Sequence, residues 1–127
     1  MTDLVEVWVR TRHPEHYVLV NEVDGSQWRI VDGRWKAAPV SKREADRTVL
    51  AAVVARWSAE SVVITDEPGA VVSMADLDAS LYSWAMFGEV TLPGSKTLAR
   101  EVLSEHVTAA GAVWDTHVKQ FTRMRLV

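Results

Sequence analysis

The chain has 127 residues, 48% of them hydrophobic, with no cysteine and a formal net charge of −3. That length fits one domain, 1–127, able to bury a core without staples. The missing cysteines exclude disulfides, thiolate metal ligands and cysteine nucleophiles.

Leu4 to Arg10 alternates apolar and polar residues, which predicts a first strand. Thr11 to His16 turns around Pro14, a residue that cannot donate to a ladder. Two dipeptides, Asp24-Gly25 and Asp32-Gly33, then stand between alternating apolar residues. Asp-Gly favours a two-residue turn with positive φ at both positions, so the pair predicts an antiparallel β-meander over about 4–37. Its later strands run about 17–23, 26–31 and 34–37. Tight loops at both dipeptides set Leu19 opposite Ile30, Asn21 opposite Trp28, Ile30 opposite Trp35, and Trp28 opposite Ala37. One face then carries Tyr17, Leu19, Trp28, Ile30 and Trp35, the expected core face. The other carries Val18, Val20 and Val31 among Arg29, Arg34, Lys36 and Glu22. This mixed face is expected to be covered by a helix or by another subunit.

Pro39 closes the meander, and Ser41 with Glu44 forms a capping box. A helix over about 42–59 follows, with Ala45, Val49, Ala52, Val53 and Trp57 at helical spacing, and it is expected to pack on the Trp28/Trp35 face. Ser61–Thr65 and Ala70–Ser73 are rich in β-formers around the turn Asp66-Glu67-Pro68-Gly69, which predicts a short second hairpin. Ser73 caps a helix over about 74–87, with Leu77, Leu81, Trp84 and Phe87 on one face and Gly88 as its stop. Ser95 caps a last helix over about 96–120, whose stripe runs from Leu98 through Val107 and Trp114 to Phe121. Residues 119–127 read as a basic C-terminal tail. The whole is an α+β fold, a meander of about four strands packed with three helices.

Charge and codon usage carry further expectations. From Ser61 to Gly94 there are five acids and no Lys or Arg, whereas residues 95–127 are net positive. Such asymmetry can steer a partner or a second copy of the chain. Arg outnumbers Lys ten to four and Val outnumbers Ile 21 to two, a bias of GC-rich codons. It points to a high-GC bacterium or one of its phages. No apolar run reaches the length of a membrane span, and the stretch from Met1 has no basic segment followed by an apolar one. A cytoplasmic protein without a membrane partner is expected, or a virion component if the gene belongs to a phage.

Several clusters could carry chemistry. His13, Glu15 and His16 flank Pro14 on a turn with no fixed ligand geometry. His106 and His117 fall about 16 Å apart on one helix face, too far to share a metal. Asp76 and Asp78 are best read as first-turn acids at a helix start, with Asp76 the capping partner of Ser73. Gly94, Ser95 and Lys96 open a helix with free amides and an ammonium, an arrangement able to seat a phosphate. Over six residues, Leu92 to Thr97, it resembles the phosphate-contacting turn of enolpyruvyl transferases, although 127 residues are too few for that two-domain fold. Position 89 is Glu where a Walker A loop has Gly. No nucleophile elbow is present.

These observations predict no catalytic, cofactor or metal residues. The expected function is a non-catalytic protein-interaction or assembly module, acting on a protein partner or on itself as a homo-oligomer. Its interface candidates are Trp8, Val18, Val20, Val31, Arg29 and Arg34, with Trp8 as an aromatic anchor between Glu6 and Arg10 on its strand. One alternative is a nucleic-acid-binding regulator using Arg29, Arg34, Lys36, Lys119, Arg123 and Arg125. Another is an anion or phosphate binder, or small enzyme, at Gly94, Ser95 and Lys96.

Overall fold

A computed structural model describes residues 4–8, 17–38 and 40–127, and the cluster of His13, Glu15 and His16, with Arg10, Arg12 and Pro39, lies outside them. The described residues form an α+β fold with antiparallel sheets and three helices. The chain divides into two compact units, Met1–Val49 and Leu50–Val127.

The first unit is built on a four-stranded meander in the order β1 (Leu4–Trp8), β2 (Tyr17–Asn21), β3 (Gln27–Val31) and β4 (Arg34–Ala38). The second Asp-Gly turn forms as the sequence predicts. Asp32 (φ 52°) and Gly33 (φ 75°) both lie left-handed, and Val31 pairs Arg34, Ile30 pairs Trp35 and Trp28 pairs Ala37. The first does not. Leu19 pairs Trp28 and Val18 pairs Arg29, so the expected pairings of Leu19 with Ile30 and of Asn21 with Trp28 are corrected by two positions.

Side chains explain the wider loop. Asn21 Oδ1 accepts the Val23 amide at 2.8 Å, and Asp24 Oδ1 accepts the Ser26 amide at 2.8 Å and hydroxyl at 2.5 Å. These bonds mimic backbone turns and hold residues 22–25 as one loop, closed by Asn21 N–H donating to Ser26 O at 2.9 Å. The Ser26 hydroxyl, and then its amide, keep the Asp24 carboxyl below its ordinary range. Gly25 is left-handed and buried, and a Cβ there would overlap the backbone of Ala45. A two-residue slip keeps every position on its expected face. It does not bury the two indoles. Trp35 is 44% exposed and Trp28 only half-buried, which overturns the expected Trp28/Trp35 packing surface. Among the described side chains of this unit the buried residues are Val20, Asn21 and Gly25, at the loop where Ala45 of α1 (Lys42–Ser61) approaches Gly25.

In the second unit the later part of α1 buries Leu50, Val53, Val54 and Trp57. Trp57 is fully enclosed, and its indole N–H donates to Ser80 Oγ at 3.0 Å on α2 (Met74–Phe87). Such a bond lets a large aromatic enter a core without leaving a donor stranded. Trp84 is half-buried, donating to Glu60 beneath the Arg56 guanidinium, which sits 5.5 Å from the ring centre. Leu77 and Leu81 are buried as expected. Three serines cap the three helices: Ser41, Ser73 and Ser95 accept the amides of Glu44, Asp76 and Leu98, each at 3.1 Å.

The last helix is shorter than predicted. α3 (Lys96–Ala110) stops at Gly111, whose φ of 124° ends the helical path. A Cβ there would sit 3.3 Å from the Ile64 side chain, so the position also favours a bare backbone. Trp114 and Phe121, placed on the helix by their spacing, instead face each other across a hairpin of β7 (Val113–Asp115) and β8 (Gln120–Thr122). Their rings meet edge to face with centroids 4.8 Å apart. Residues 119–127 are therefore no tail, since β8 and β9 (Met124–Leu126) occupy most of them.

The predicted second hairpin is corrected as well. β5 (Val62–Ile64) pairs β9 and β6 (Val71–Ser73) pairs β8, so the two strands do not pair with each other. They run end to end along the C-terminal strand, with residues 65–70 looped out between them. Arg123, at φ 64°, holds that junction. Its amide donates to Ala70 O at 3.2 Å, its carbonyl accepts the Thr65 amide at 2.9 Å, and its guanidinium pairs Asp66 at 2.5 Å.

Candidate interaction surface

β4 is an edge strand. An antiparallel sheet usually buries one face and wets the other. On β4, Arg34, Trp35, Lys36 and Ala37 are exposed in succession, so both faces of this strand meet solvent. The alternation places Trp35 beside half-buried Trp28 on one face, and Arg34 and Lys36 on the other, where Lys36 is the register partner of exposed Arg29. Like charges directly opposite weaken a strand pair. The hairpin thus carries an aromatic face, on which Trp35 is exposed, and a cationic face, on which Arg29, Arg34 and Lys36 are exposed.

The other sequence candidates fall into place as follows. Trp8 pairs Tyr17 in register, Val18 pairs Val7 and Arg29, and Val31 pairs Arg34. Val20 is buried, which removes it from any surface. Of the residues considered for nucleic acid, Arg29, Arg34 and Lys36 share one face of β3–β4. Lys119, Arg123 and Arg125 belong to the second unit, with Lys119 left-handed in the β7–β8 turn and Arg123 engaged by Asp66. At the proposed anion seat Ser95 Oγ already takes the Leu98 amide, with Gly94 left-handed before it and Lys96 exposed. Asp78, read as a dipole-favourable acid, has a further role: it pairs with Arg100 of α3 at 2.6 Å. Among the described residues no three His, Asp or Glu side chains gather as a metal site.

Sequence reasoning missed a second exposed feature. Met86 and Phe87, at the end of α2, are 71% and 85% exposed. At about 100° per residue, Met86 points opposite the Leu77/Leu81 stripe and Phe87 lies roughly 80° from it. Angular position, rather than i+3 spacing from Trp84, was the signal to use.

No described helix is long and apolar enough to cross a membrane. Comparison with known protein families, curated proteins and solved structures finds no match to the chain.

Proposed function

We propose that this protein is a non-catalytic assembly module that binds further copies of itself through the β3–β4 hairpin. The observation that carries this reading is β4, exposed on both faces from Arg34 to Ala37 with Trp35 open to water. A strand that buries neither face gains only its hairpin pairing, and an uncovered indole is the residue type that binding hot spots favour. Charge supports a second copy as the occupant. The cationic face of Arg29, Arg34 and Lys36 matches the base-free stretch 61–94, in which Glu67, Asp76 and Glu89 are exposed. The same cations favour nucleic acid as a second reading. The indoles lie on the opposite face, so stacking and phosphate contact do not converge there.

Light scattering across a concentration series tests this. The mass rises above the 14.2 kDa of one chain as concentration increases, and falls as salt is added. Trp35→Ser shifts the midpoint of assembly about tenfold upward in concentration. A mass of one chain at every concentration overturns the proposal.

A further inference from the structure

Asp24 and Asp32 are the two aspartates of the chain that precede a glycine. Such a pair carries its own covalent chemistry. The glycine nitrogen, unhindered by a side chain, attacks the aspartate Cγ, and the amide proton and a carboxyl hydroxyl leave together as water. A five-membered succinimide remains, and water then adds to one of its two carbonyls. Opening at Cγ restores aspartate. Opening at the main-chain carbonyl leaves the backbone running through Cβ and Cγ, as isoaspartate, and frees the former main-chain carbonyl as a carboxylate. The sum is an isomerisation that needs only solvent.

The fold treats the two pairs differently. Ring closure swings the glycine nitrogen toward the side chain, so the turn opens locally before the bond forms. At Asp24 that opening is opposed. The carboxylate accepts the Ser26 amide at 2.8 Å and hydroxyl at 2.5 Å, the Gly25 amide donates to Asn21 O at 2.8 Å, and Gly25 is buried against the backbone of Ala45. The Ser26 hydroxyl, and then its amide, also hold the Asp24 carboxyl below its ordinary range, which favours the carboxylate, the poorer electrophile. At Asp32 these restraints are missing. Asp32 and Gly33 are both exposed, and nothing lies within 4 Å of where a Gly33 Cβ would stand. Among the described residues no hydrogen bond or ion pair holds the Asp32 side chain. The pair that closes the turn is Val31 with Arg34, so the Gly33 amide falls outside the ladder.

We propose that Asp32-Gly33 is a spontaneous modification site, converting to isoaspartate in the folded protein while Asp24-Gly25, the same dipeptide, is protected. The consequence falls on β4. A two-residue loop has no slack. Isoaspartate adds one atom to its backbone and breaks the pairing of Val31 with Arg34. β4 is an edge strand with β3 as its hydrogen-bonded neighbour, exposed from Arg34 to Ala37, so loss of that closure loosens it. This chemistry lies within one chain and does not depend on self-assembly.

The test ages dilute wild-type protein in warm, mildly acidic buffer beside a sample unfolded in urea, and maps both by peptide chromatography with mass spectrometry. Isoaspartyl peptides keep the parent mass, elute apart from it and resist a protease that cuts before aspartate. The unfolded sample sets the ageing time and the rate of each site without structure. Relative to those rates, Asp32 converts about tenfold or more faster than Asp24 in the folded protein, because opening at Asp24 breaks three further hydrogen bonds. Equal relative rates overturn the proposal, and so does an intact Asp32 in folded protein once the unfolded chain has converted. Ser26→Ala speeds conversion at Asp24; an unchanged rate overturns the protection assigned to that serine. In the separated isoaspartyl form, amides of residues 34–38 exchange faster than in the parent, and equal exchange overturns the loosening of β4. A chain that stays monomeric at every concentration removes the assembly reading and leaves this one standing.

Discussion

At one end of the meander Gly25 presses its backbone against Ala45. At the other, Gly33 has nothing within 4 Å of where a Cβ would stand. Both glycines follow Asp and both have φ +75°. The first end buries Val20 and Asn21, whereas the second leaves Asp32, Gly33, Arg34 and Trp35 exposed. The same dipeptide therefore serves two purposes. Near α1 it lets a loop pack against a helix, and away from it the dipeptide reverses a hairpin whose last strand is exposed from Arg34 to Ala37. Local turn chemistry fixes that the chain reverses; packing decides whether the reversal belongs to the core or to a surface.

Substitutions at the two ends sharpen this contrast. Gly25→Ala has the largest expected effect, about 2–4 kcal/mol, because left-handed strain adds to overlap with the α1 backbone. Gly33→Ala has the same strain without the overlap and costs about 1–2 kcal/mol. Urea denaturation measures both, and equal losses would break the comparison. Trp35→Ser changes stability least, within about 0.5 kcal/mol at low concentration, because an exposed side chain is removed. A loss comparable to that of Gly25→Ala would place Trp35 in a core.

The sequence revealed most where a feature depends on adjacent residues. Ser73 and Gly88 mark α2 at both ends, and Asp32-Gly33 forms the expected turn with the expected pairing of β3 and β4. Legibility failed where a distant partner chose between local options. Asn21 and Asp24 could cap backbone amides as readily as enter a ladder, and the approach of Ala45 favours the wider loop. Trp114 and Phe121, seven positions apart, suit one helix face or facing strands of a hairpin, and the helix stop at Gly111 selects the hairpin. β5 and β6 were visible as strands, but their partners at the far end of the chain were not, since pairing over such separation leaves no local pattern. The candidate surface was half legible. Arg29 and Arg34 emerged from their alternation, while the exposure of Trp35 and Phe87 depends on what the rest of the fold fails to cover.

Amide hydrogen exchange along β4, compared between dilute and concentrated protein, tests the central claim most directly. If copies meet at this hairpin, amides of residues 34–38 slow as concentration rises, while those around Trp57 in α1 exchange alike in both samples. Unchanged exchange along β4 in concentrated, demonstrably associated protein would contradict the account.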